Sequence, residues 1–186
     1  MTLSVIILAA GSSSRMGTPK QLLKWKGDTL LSHSVKTAMG LKAGPIYVVL
    51  GSNEEEHRKA IKDLPVTIVS NPAWANGMGS SLKAGLNVVR EKSEAVLVMT
   101  CDMPFVTADH LKTLVKTDSD VVASKYGNSA GVPAKFSKKI YSDLLLISDT
   151  EGAKKIIEKH SPVLIHLDSP TDLDTPDDYQ KALSTN

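Results

Sequence analysis

Val5 to Lys20 reads VIILAAGSSSRMGTPK, and the rest of the chain is best read outward from it. Val5-Ile6-Ile7-Leu8 is an unbroken apolar run dominated by β-branched residues, the mark of a strand buried on both faces. Similar runs recur at Ile46 to Leu50, Val66 to Val69 and Ala95 to Met99. Helical periodicity fills the gaps, at Leu30 to Met39, Glu54 to Ile61 and Ser80 to Arg90. Beyond Asp102 the alternation predicts a helix at Ala108 to Lys116 and a strand at Val121 to Ser124. Helices at Lys138 to Ile147 and Gly152 to His160 follow, then a strand at Val163 to Leu167 and a last helix from Pro176. Apolar strands separated by helices predict an α/β fold, a three-layer sandwich around a mostly parallel sheet. In such sheets ligands bind outside the carboxyl ends of the strands. Ala10 to Lys20, Asn71 to Ser81 and Cys101 to Pro104 are therefore the segments to inspect.

The chain has 186 residues, with 22 Lys+Arg against 20 Asp+Glu and a formal net charge of +2. That length suits one domain, residues 1–186, burying roughly 70% of its unfolded surface without disulfides or structural metals. The near-balanced charge argues against a nucleic-acid partner held by bulk charge. One cysteine, Cys101, excludes a disulfide framework or paired-Cys zinc site. Met1 to Ala10 carries no Lys or Arg, unlike the start of a secretory signal, and the apolar runs are too short to span a bilayer. A cytoplasmic protein with no membrane segment is expected.

In the loop after the first strand, Ala9, Ala10 and Gly11 let a ligand approach the main chain, and Gly17 permits a tight turn. Successive loop N–H groups form an anion nest, to which Arg15 adds a forked charge and Lys20 a point charge. Two familiar phosphate loops do not fit. Five residues, not four, separate Gly11 from Gly17, and Ser13 stands where the dinucleotide fingerprint needs its second glycine. A solvated Ser/Gly connector is the plainer alternative; the strand before the loop and the carboxylates below weigh against it.

Ala95 to Asp102, AVLVMTCD, delivers one carboxylate to the sheet's edge, and Met103-Pro104 turns the chain away. Thr107 is the better cap for the next helix. A second acidic group comprises Asp168, Asp172, Asp174, Asp177 and Asp178. Asp177 and Asp178 suit a helix N-terminus; Asp172 and Asp174 precede it and need another reason. Mg²⁺ takes one or two carboxylates together with phosphate oxygens. A strand-end Asp, a distant Asp pair and a basic small-residue loop match a Mg²⁺–triphosphate site. Cys101 reads as a small buried hydrophobe. All five histidines read as structural, with His57 on a solvated face after Glu54-Glu55-Glu56. Trp74 either walls the pocket or packs in the core, and Trp25 reads as half-buried on a short strand.

The blocks LAAGSSSRMGTPKQLL (Leu8 to Leu23), NPAWANGMGSSLKAGL (Asn71 to Leu86), CDMPFV (Cys101 to Val106), GVPAKF (Gly131 to Phe136) and DLDTPDDY (Asp172 to Tyr179) resemble the molybdenum cofactor nucleotidyltransferase family, most of all its cytidylyltransferase branch. The resemblance implies a Rossmann-like sheet of the nucleotide-diphospho-sugar transferase type, with one reversed strand. It implies that Arg15 and Lys20 hold the triphosphate of CTP, and that the main chain of Leu8, Ala9, Ala10 and Gly11 reads the base. Asp102 would carry Mg²⁺, with Asp172 ahead of Asp174 as second ligand. Gly77 to Gly85 would close over base and ribose, with Ser80 as its polar candidate. Ala10, where the guanylyl-transferring branch typically has glycine, points to CTP rather than GTP.

The reaction so implied joins the phosphate of a molybdopterin-type acceptor to the α-phosphorus and releases pyrophosphate. It would use Arg15, Lys20 and Asp102 as catalytic groups, and a molybdoenzyme would be the downstream partner. One block departs from the family's common Gly-Asp-x-Gly-Ala-Arg: here it is Asp149-Thr150-Glu151-Gly152-Ala153-Lys154. That places acceptor recognition in question. The alternatives are a guanylyltransferase, a sugar- or polyol-phosphate nucleotidyltransferase of the same fold, or a carrier of finished cofactor. A carrier has no need of a triphosphate clamp.

Overall fold

The computed structural model describes residues 2–13, 16–167 and 172–184. Strand β1 (Leu3–Leu8) is buried at every position. Alternate side chains point to opposite faces of a strand. Leu3, Val5 and Ile7 accordingly join one apolar cluster, and Ile6 and Leu8 another. Helices α1 (Leu30–Gly40) and α4 (Ala108–Lys116) close the first cluster with Leu31, Val35, Leu111 and Leu114. Helices α3 (Met78–Val89), α5 (Tyr141–Leu146) and α6 (Lys154–Lys159) close the second with Leu82, Leu86, Leu144 and Ile156. This is the expected three-layer α/β sandwich.

The remaining strands of the sheet are β4 (Ile46–Leu50), β5 (Thr67–Ser70), β6 (Ala95–Thr100), β7 (Val121–Tyr126), β8 (Ser129–Ser137) and β9 (Val163–His166). The seven strands lie in the order β5-β4-β1-β6-β8-β7-β9. β4 and β6 run parallel to β1, β5 is parallel to β4, and β9 is parallel to β7. Only β8 among them is reversed, antiparallel to both β6 and β7.

Apolar patterning did not mark β8, for physical reasons. Proline lacks the N–H that a central strand needs, and Lys135 looks like a surface residue. The ladder skips between Ala123↔Ala134 and Ser124↔Gly131, so Pro133 sits in an irregularity. Lys135 is buried, and its ammonium donates to Thr117 O just past the end of α4.

Two sequence readings are corrected here. Trp25 is buried, not half-buried, at 1% exposure. It ends β2 (Lys24–Trp25), which pairs with β3 (Asp28–Thr29) through a two-residue turn. Lys26 and Gly27 both have positive φ there, as a tight hairpin of matching twist requires. Trp25, Leu30, Leu173 and Ala182 form a third cluster, which joins this hairpin to α7 (Pro176–Ser184). His57, on α2 (Glu54–Ala60), is fully buried instead of solvated. α2 packs on α1 and on the turn at Lys20–Leu22, which turns His57 inward between the exposed Glu56 and Arg58. Among the described residues, no helix is long and apolar enough to cross a membrane.

Candidate active site

β1 lies between β4 and β6, and the chain passes to one side for β4 and β5 and to the other for β6. Such a switch point leaves a crevice at the strands' carboxyl ends. Leu8 and Thr100 are register partners at that edge, so the loops after β1 and β6 face one another.

The loop after β1 is held by a residue that the sequence reading gave no role, Gln21. Its buried amide donates to Ala9 O at 3.1 Å and Gly11 O at 2.7 Å, and its Oε1 accepts from Ser13 Oγ at 3.0 Å. Ser13 Oγ also accepts from Lys20 N at 3.0 Å. One side chain thus ties three points of the loop to the turn that carries Lys20. Polar residues beside a loop normally read as solvated, and the one available signal was adjacency to Lys20. A Cβ at Gly11 would meet nothing within 4 Å, so the loop faces open space there. Arg15 lies outside the described residues, as does Asp168.

Lys20 Nζ donates to Asp102 Oδ2 and, at 3.0 Å, to Asp174 Oδ1. Burial alone would lower the pKa of this ammonium, but the charge of Asp102 and hydrogen bonds to both carboxylates outweigh it and hold it above the usual lysine range. Asp102 is fixed through its neighbours. Ser34 Oγ donates to Cys101 O at 3.1 Å, His33 Nε2 donates to Pro104 O at 3.0 Å, and Leu173 N donates to Asp102 O at 3.0 Å. Leu173 is buried in the third cluster, and its neighbours Asp172 and Asp174 both line the crevice. Burial within the crevice pushes the Asp172 carboxyl up to about 6, with Asp102 and Asp174 adding like-charge repulsion. Burial also pushes the Cys101 thiol up to about 12, which removes it as a nucleophile.

The crevice has two lobes. One, of about 320 Å³, is floored by Leu8, Ala9, Ala10 and Gly11 and walled by Trp74, Ala75, Gly77, Met78 and Ser81. The other, of about 380 Å³, holds Asp172, Asp174, Met16, Met103, Tyr126 and Val132. Lys20, Asp102, Gly11, Met78 and Thr100 border both lobes. Trp74 meets both readings made of it, since it walls a lobe and packs against the second core cluster. Ser81 lines the first lobe, whereas Ser80 sits behind it. The Ser80 hydroxyl accepts from Asn71 Nδ2 at 2.9 Å and lies within donating distance of Ala73 O (2.9 Å) and Gly77 O (2.8 Å).

The donor set fits a hard divalent cation. Asp102 Oδ1 is buried without a hydrogen-bond partner among the described residues, an orphan that a cation would satisfy. Among the described residues, no three His, Cys, Asp or Glu side chains close around one point. A cation here would therefore need oxygens from a ligand, the usual condition for Mg²⁺.

Residues 5–163 match the model of the MobA-like NTP transferase domain. The chain belongs to this family. MobA-like NTP transferases are nucleotidyltransferases, and so is this chain. It is 28% identical over 178 residues to the molybdenum cofactor cytidylyltransferase of Escherichia coli K12, covering 94% of this chain and 92% of that one. A homologue of Mycobacterium tuberculosis Rv0371c from Mycobacterium sp. strain JC1 superposes with a TM-score of 0.87 at 30% identity, over 98% of this chain and 96% of that one. Rv0371c of M. tuberculosis H37Rv, solved as a manganese complex, superposes with a TM-score of 0.87 at 23% identity over the full length of both chains and speaks for the fold.

Proposed function

We propose that this chain, as one nucleotidyltransferase domain of the cytoplasm, transfers a cytidylyl group from CTP to the phosphate of a molybdopterin-type acceptor. The observation that carries the proposal is that Lys20 and Asp102 stand where the two lobes meet, with Asp172 and Asp174 beside them in the second lobe. A reacting phosphate belongs at such a border, with a base-sized lobe on one side and acceptor space on the other. The likeness to the E. coli cytidylyltransferase supports the choice of substrates.

Base and ribose occupy the first lobe, against the main chain of Leu8 to Gly11. Lys20 neutralises the triphosphate, and Arg15 joins it from the same loop. An oxygen of the acceptor phosphate forms a bond to the α-phosphorus while the bond to the bridging oxygen of pyrophosphate breaks in line. Positioning and charge neutralisation supply the rate, since phosphoryl transfer needs no protein nucleophile. The acceptor phosphate is ionised at neutral pH, so no general base is required. Asp102 and Asp172 are the residues to hold Mg²⁺, which when bound supplies positive charge to the phosphate oxygens. The product passes to a molybdoenzyme partner.

Base choice tests the reading. Ala10 floors the first lobe, and one methyl-sized contact supports discrimination of about 10–200-fold. Pyrophosphate release with CTP, GTP, ATP and UTP in the presence of molybdopterin should show CTP ahead of GTP within that range, and Ala10→Gly should narrow the gap. A wild-type preference for GTP would replace cytidylyl by guanylyl transfer, and release with none would overturn the transfer itself.

A further inference from the structure

Asp149 to Lys154, the block that departs from the family pattern, does not border either lobe of the crevice. It lies instead against the back of the loop that walls the first lobe. Gly79 N donates to Asp149 O at 2.8 Å. The contact is too close for side chains: a Cβ at Gly79 would stand 2.2 Å from Ser148 O, and one at Gly77 would stand 2.5 Å from Asp149 O. Gly77 also has φ of +128°, a value that L side chains rarely adopt.

The Asp149 carboxylate bridges a residue of this loop to a residue of the helix that follows it. Its Oδ2 accepts from Asn76 Nδ2 at 3.0 Å, and its Oδ1 pairs with Lys83 Nζ at 2.5 Å. Lys83 also donates to Ile147 O at 3.1 Å. Asn76 lies just before α3, while Lys83 lies in its second turn. A carboxylate bridging them ties the segment that carries Gly77 and Ser81, which wall the first lobe only, to the chain at 149. The hydrogen bonds from Lys83 and Asn76 hold its pKa below the usual range, so the bridge is ionised at neutral pH.

We infer that Asp149 is a positioning residue for the nucleoside lobe, acting through Asn76 and Lys83, and that the departing block therefore governs nucleotide affinity and not acceptor recognition. The inference rests on the nucleotidyl-transfer reading above, which assigns the first lobe to base and ribose. Asp149→Ala should raise both the calorimetric Kd and the KM for CTP at least about threefold, with kcat and the acceptor KM within about twofold of wild type. Lys83→Met should move them the same way, and the double variant should lose less than the product of the two single effects, because the Lys83–Asp149 pair is counted in both. Asp149→Glu should recover part of the loss. Hydrogen exchange at the Gly79 amide should quicken in Asp149→Ala, a readout independent of turnover. Since Lys83→Met keeps the Asn76–Asp149 and Gly79–Asp149 hydrogen bonds, it carries the test if Asp149→Ala does not fold. Unchanged CTP affinity in both single variants, or a raised acceptor KM with CTP affinity intact, would overturn the inference while leaving the function in place. Wild-type protein that binds none of CTP, GTP, ATP or UTP would overturn the function and the inference together.

Discussion

Asp102→Asn leaves the side-chain volume almost unchanged but removes the charge that faces Lys20. The variant should fold and lose turnover by at least ~100-fold, the scale set by removing one preorganised electrostatic group from a transition state. Retention of more than about a tenth of the wild-type rate at saturating Mg²⁺ would remove Asp102 from the chemistry. Asp172 gives a pH signature. Its carboxyl, pushed up to about 6, is partly protonated in the metal-free protein near neutrality. If a cation is held at Asp172 as proposed, it displaces that proton, and Mn²⁺ affinity measured by calorimetry should fall about tenfold per unit as pH drops below 6. Asp172→Asn should bind weakly at every pH and lose the slope. The raised value has the opposite sign for folding: the protonated form is favoured, and its stabilisation, complete below the ordinary 3.8, fades as pH rises through about 6. Single residues were unevenly legible in sequence. Asp102 follows a strand end and Lys20 closes the loop after another, and both could be read there. Gln21 was silent, because its importance lies in three partners that only the folded loop brings within reach.

Elements with one clear period could be read to within a residue or two, as in α4, whose Thr107 cap was also anticipated and accepts from His110 N. β8 could not, since its proline fits only where the ladder is irregular and its lysine only where a helix end lies opposite. α2 was legible to within a residue, but the burial of its His57 was not, for a different reason. With charges on both sides of His57, local polarity outvoted a tertiary contact that the sequence does not display. That contact leaves both ring nitrogens of His57 buried without partners among the described residues. Burial lowers the His57 pKa, so its contribution to stability is complete above the ordinary 6.5 and is lost as pH falls through the lower folded value. His57→Leu removes two unsatisfied groups at similar volume. At pH 8 its melting temperature should stay within about 3 °C of wild type, and at pH 5 the variant should be the more stable. A difference of the same size at both pH values would show that His57 does not titrate on unfolding.

For the molecule as a whole, ligand stabilisation is the simplest check on the two-lobe crevice. Saturation at about 100 times Kd adds about 2.7 kcal/mol, or about 5–10 °C in a chain of this length. CTP with Mg²⁺ should reach that range in a thermal scan. Mg²⁺ alone should add under about 2 °C, because Lys20 already sits against Asp102 and Asp174. A full shift with Mg²⁺ alone would mean that the cation binds elsewhere. The overall architecture was the most legible level of all, since a doubly covered sheet needs only apolar strands at helical intervals. The joining of hairpin and C-terminal helix through Trp25 and Leu173 was not, because nothing local relates residues 148 positions apart.

That junction has a consequence for how the protein comes into being. A ribosome releases Lys20 and its loop well before the carboxylates of Asp172 and Asp174, which follow far along the chain. Lys20 meets Asp174 only after the whole sheet has been made and Leu173 has docked beside Trp25. Contacts between such distant parts of a chain close late in folding. A nascent chain can thus display Lys20 before Asp174, one of the two carboxylates it pairs with, has been made. A crevice lined by Asp172 and Asp174 therefore waits on the segment that carries them.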